Sequence, residues 1–155
     1  MSALFAAVRA DEQNFPLFVH VIGATILVGG LLTAATILAL ARGDARSLRL
    51  GYWTLLAVSF PGWIIMRVGA QWIYSEQGWD DLPDEAEEPA WLGIGYFAAD
   101  LGGLILLVSL ILGGIGVYRL RADKGSGLLR ATMILSLILL AAYVVAAWAM
   151  SGKPN

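Results

Sequence analysis

Four apolar stretches, each longer than a membrane is thick, leave this chain little choice of fold. They run from about Phe15 to Ala41, Leu50 to Tyr74, Trp91 to Tyr118 and Leu128 to Met150. A helix needs about 20 residues to cross a hydrocarbon core of about 30 Å, and every stretch exceeds that. Lipid offers no partners to backbone N–H and C=O groups, so each segment must satisfy its own, as a helix does. The expected fold is all-α: an up-down bundle of four transmembrane helices forming one integral membrane domain over residues 1–155, with helices at 15–41, 50–74, 91–118 and 128–150. At 59% hydrophobic and 14% charged, the composition leaves no material for a separate water-soluble core.

The first stretch is too long for the apolar part of a signal peptide, and Asp11 and Glu12 precede it where a basic region belongs. The absence of cysteine excludes disulfides, thiolate metal sites and thiol nucleophiles.

The connections carry an orientation. Arg42, Arg46 and Arg49 lie in or beside the first, and Arg119, Arg121, Lys124 and Arg130 in or beside the third: seven of the ten basic residues. The second connection, residues 75–90, holds seven acids and no base. The positive-inside rule puts the first and third in the cytoplasm, and the acidic loop and both termini outside. The expected setting is a bacterial-type cytoplasmic membrane crossed several times. Trp53, Trp72, Tyr74, Trp91, Tyr118 and Trp148 then fall near span ends, as an aromatic belt does. The crowd of Asp80, Asp81, Asp84, Glu85, Glu87 and Glu88 lacks the alternating ligands and sixth-position glycine of an EF-hand, and reads as a solvated loop. The basic residues are sparse and without interleaved aromatics, so nucleic acid is not an expected partner. The expected partners are the lipid bilayer, other membrane subunits or a second copy.

The only histidine, His20, sits near the outer start of the first span. Arg67 lies seven residues before Tyr74 in the second span, and Asp100 nine residues after Trp91 in the third. At 1.5 Å per residue, all three come within roughly 7–14 Å of the outer interface. Helical phase sets Trp63, Arg67, Gln71 and Tyr74 on one stripe, Tyr96, Asp100, Gly103 and Leu107 on another, and Thr132, Ser136, Tyr143 and Met150 on a third. A charge facing lipid is expensive, so Arg67 and Asp100 are expected to turn inward and meet. The expectation is a buried polar cluster of His20, Arg67, Gln71, Tyr96, Asp100 and Tyr143.

Two packing signals accompany it. Pro61 and Gly62 predict a bend in the second span, because proline removes a backbone hydrogen bond and crowds the carbonyl of Ala57. Gly102, Ser109, Gly113 and Gly116 form a small-residue stripe opposite Asp100, a helix-packing face open to either a neighbouring span or another protein.

HVIGATILVGGLL in the first span, a proline in the second, and an acidic hairpin before a tryptophan-led third resemble the small integral membrane proteins related to the copper-resistance D type. Bacterial four-helix membrane proteins with a first-span histidine and haem are a looser likeness. These resemblances imply a ligand role for His20, although the single histidine departs from a bis-histidine or copper-transfer pattern.

On the residues alone, His20 has three readings. One is a structural hydrogen bond to Asp100 or a backbone carbonyl. The second is a b-type haem ligand, with Arg67 receiving a propionate. The third is proton handling beside Asp100. No catalytic triad, phosphate loop, metalloprotease helix or carboxylate pair is present, so the chain leans away from enzymes. The leading functional expectation is a non-enzymatic accessory subunit or homo-oligomer. A haem protein for electron transfer or sensing and a small proton-coupled carrier are the alternatives.

Overall fold

The computed structural model describes residues 11–78, 90–122 and 124–152, and all of its regular structure there is helical. Helix α1 spans Asp11–Leu40. Helix α2, Ala45–Thr54, passes through a π-helical turn, Leu55–Ser59, into α3, Phe60–Glu76. Helix α4 is Ala90–Arg119 and ends in the 3₁₀ turn Leu120–Ala122; α5 is Ser126–Gly152. Four spans are long and apolar enough to cross a membrane: Asn14–Leu40, Ala45–Glu76, Leu92–Ala122 and Ser126–Ser151. The crowded acids from Asp80 to Glu88 lie outside the described residues.

The helices reach further than the apolar stretches, because their ends are closed by local chemistry. The first connection turns through Arg42 and Gly43, at φ 43° and φ 89°, and Asp44 N–H donates to the Ala41 carbonyl. Asp44 then caps α2, its carboxylate accepting from the Ser47 N–H at 2.8 Å and the Ser47 hydroxyl at 2.6 Å. Arg46 and Arg49 consequently stand on α2 and not in a loop.

The second span does not break at Pro61. The Phe60 N–H reaches back to the Leu55 carbonyl, which widens the preceding turn by one residue and brings Pro61 in as the second residue of α3. A π-turn precedes the proline at the place where a bend was expected.

Glycines set how closely the first two spans approach. A methyl group on Gly23 would collide with the backbone of Met66, one on Gly62 with that of Leu27, and one on Gly69 with that of His20; one on Gly30 would meet the Ser59 side chain. These pairings run in opposite directions along the two spans, so the spans are antiparallel. The third and fourth spans are antiparallel by the same evidence. Gly95 lies against Met150, Gly102 against Tyr143, Gly113 against Tyr52 and Thr132, and Gly116 against Leu129. The Thr132 hydroxyl donates to the Ser109 carbonyl of α4 at 3.3 Å and to the Leu128 carbonyl of its own helix at 3.0 Å. The stripe of Gly102, Ser109, Gly113 and Gly116 is thus used inside the chain.

Between the hairpins, Leu27, Leu31, Leu55, Leu106 and Leu139 are fully buried and form the middle of the core. Towards the Arg42 end, Leu38, Leu48 and Leu129 make a second cluster. Phe97, Leu104, Ile111, Val145 and Trp148 are among the large apolar side chains left on the outside, as a lipid-facing surface requires.

Candidate functional site: a one-ended cavity among the spans

Towards the Tyr74 end the core opens into a cavity of about 910 Å³. Its walls come from all four spans and are mostly small or apolar: Ala24 and Val28 on α1, Ala70 on α3, Gly95 and Ala99 on α4, Ala146 on α5. Leu27 lies at its floor, and the fully buried Leu31, Leu55, Leu106 and Leu139 fill the bundle beyond. The lining reaches Leu17, Gln77, Leu92 and Ser151 at the other extreme. From Leu17 to Gly29 the α1 wall rises through twelve residue steps, or about 18 Å. Val21, Thr25 and Gly29 line the cavity yet are exposed on α1, as Ala147 is on α5, so the rim also opens sideways between the first and fourth spans.

His20, Arg67, Tyr96 and Tyr143 all line this space. His20 is held by Nδ1, 3.0 Å from the Met66 carbonyl. A carbonyl only accepts, so Nδ1 carries the hydrogen, and in the neutral ring Nε2 keeps its lone pair. This is the hydrogen bond that orients a histidine when its other nitrogen binds something. Asp100 is not its partner.

Arg67 gathers the remaining polar groups. Its Nε donates to Asp100 Oδ1 at 3.1 Å, its Nη1 to Gln71 Oε1 at 3.3 Å, and its guanidinium carbon sits 4.9 Å from the centre of the Tyr96 ring. Tyr96 in turn meets Tyr74 edge to face at 5.3 Å. The stripe from Trp63 to Tyr74 therefore docks on the stripe containing Tyr96 and Asp100.

The expected buried cluster differs in two respects. Asp100 is 61% exposed and Gln71 is exposed, so the ion pair sits at a surface crevice. Lower down, the Trp63 indole donates to the Ala99 carbonyl at 3.0 Å and fills the space above Gly103. Trp63 thus occupies the contact between the second and third spans below the ion pair. Tyr143 stands apart from the pair, its buried hydroxyl against Gly102 and without a hydrogen bond among the described residues. Thr132 and Ser136 lie deeper, bonded to backbone carbonyls in the α4–α5 contact.

Sequence reasoning missed the cavity; it offered a backbone carbonyl as one partner for His20 without identifying that of Met66. The available signal was the small residues towards the Tyr74 end of the bundle in the third and fourth spans, Gly95, Ala98 and Ala99 on one and Ala146 and Ala147 on the other, all of which line the void. Among the described residues, no three His, Asp or Glu side chains gather as a metal site would need. No family model matches the chain, and neither the curated proteins nor the solved structures contain a match to it.

Proposed function

We propose that the protein is a membrane-embedded binding protein whose cavity takes an amphipathic ligand. The observation that carries this reading is the cavity itself. About 910 Å³ lies within the range of small-molecule sites, and the walls are mostly apolar with a few polar groups, the usual composition of such sites. In this reading the four spans form an up-down bundle with both termini outside, so the cavity opens in the outer half and its sideways rim faces the outer leaflet. The basic connections against the acidic one support that orientation.

The accessory-subunit or homo-oligomer reading rests on the small size of the chain and its scant extramembrane part, since α5 and Tyr52 cover the small-residue stripe. A carrier needs access from both sides, whereas the leucine layer below Leu27 favours a site served from one side. Haem is the second reading, favoured by the orientation of His20.

Purification in a mild non-ionic detergent, followed by solvent extraction and mass analysis, tests the proposal. A stoichiometric amphiphile is expected, and an intense Soret band would shift the assignment to haem. Cysteines at Ser47 and Ser126 should resist an impermeant thiol reagent in intact cells while one at Gly78 reacts. Labelling of Ser47→Cys from outside would reverse the orientation.

A further inference from the structure

The cavity has a sign. Among the described residues, and tyrosines aside, the ionisable groups that line it are Arg67 and His20, which carry positive charge or none, and no described aspartate or glutamate does. Asp100, the partner of Arg67, is not part of the wall and is largely exposed. It engages Arg67 through Nε alone, at 3.1 Å, and Gln71 takes Nη1 at 3.3 Å. Nη2 makes no hydrogen bond among the described residues. Asp100 thus holds the guanidinium from its side and Tyr96 covers a face, while the Nη1–Nη2 edge keeps spare donors. That edge is the one that grips a carboxylate or phosphate in two parallel hydrogen bonds. Away from it the wall is apolar through Ala24, Leu27 and Val28.

We infer that the ligand is an anionic amphiphile, with a carboxylate or phosphate head on Arg67 and an apolar chain lying against α1 towards Leu27. The inference rests on the binding reading above and deepens it by fixing the charge of the head. The exposed rim of Val21, Thr25 and Gly29 admits such a molecule from the bilayer, either as an anionic membrane lipid or as a free fatty carboxylate.

The test is native mass spectrometry of the full chain in a non-ionic detergent, with dodecanoate, dodecanol and dodecyltrimethylammonium added in turn. Dodecanoate should bind at least about tenfold more tightly than dodecanol, with the ammonium weakest. Arg67→Gln leaves Asp100 unpaired and risks misfolding, so the double variant Arg67→Gln/Asp100→Asn serves alongside it. The double variant should erase the carboxylate's advantage and leave dodecanol unchanged. Equal or tighter binding of dodecanol, or a preference that survives the double variant, overturns the inference while the cavity reading stands. If none of the three probes binds, the cavity reading itself falls. Displacement of dodecanoate by phosphatidylglycerol and not phosphatidylcholine identifies a lipid source, and displacement by neither identifies the free acid. Equal displacement by both contradicts the requirement for an anionic head.

Discussion

The imidazole of His20 is tied to the carbonyl of Met66, at 3.0 Å, across the closest helix contact in the first hairpin. Gly69, one turn beyond Met66, has no side chain and lets the His20 backbone come within reach. The histidine is therefore both a strut between two spans and a group whose second nitrogen is available to the cavity.

Replacing His20 with leucine should separate these roles. Losing one interspan hydrogen bond costs about 1 kcal/mol of stability, measured by unfolding in a fixed detergent. Loss of a bound molecule or pigment in the same variant would add a ligand role, whereas an unchanged stability would show that the strut carries no weight.

The Arg67–Asp100 pair calls for a double-mutant cycle. A buried pair would couple strongly, but this one is monodentate, with side chains 27% and 61% exposed. Its coupling should be about 1 kcal/mol or less. A coupling of several kcal/mol would mean that the crevice is sealed in the membrane.

Close packing of the first hairpin is checked by two alanines. Gly23→Ala drives a methyl group into the Met66 backbone and should cost about 1–3 kcal/mol. Gly29→Ala has open space and should leave stability unchanged or slightly raised. Similar effects at the two sites would contradict the antiparallel register.

Asp44 gives a pH dependence at the start of α2. The side-chain and backbone hydrogen bonds from Ser47 hold its carboxyl below the ordinary carboxylate value. A group whose folded pKa is depressed stabilises above its unfolded pKa, and that contribution fades as pH falls through the folded one. Asp44→Ala should therefore lower the melting temperature near neutral pH, and the deficit should shrink as the pH is taken well below 3.8. A deficit independent of pH would remove the charged cap from the account.

The spans were legible from sequence because lipid forces helices and leaves length as the only question. The meeting of Arg67 with Asp100 was legible too, through the shared depth of two charges in different spans. The exposure of Asp100 was not, since helical phase gives the direction a side chain takes and not how near the neighbouring helix comes. The role of Gly23, Gly30, Gly62 and Gly69 could have been read from their seven-residue spacing, which places each pair on one helix face. The cavity was hidden because a void is a property of four converging faces, none of which shows it alone. A backbone carbonyl was among the partners foreseen for His20, but which one was hidden because a carbonyl leaves no trace in residue type.

The most direct measurement fills the cavity. Ala24 lines the cavity, so Ala24→Phe puts a ring into that space from α1. Parent and variant are purified identically and their bound amphiphiles quantified by mass analysis after solvent extraction. The account predicts about one ligand per parent chain and nearly none in a variant that still folds and melts cooperatively. Equal occupancy in the two proteins would contradict it.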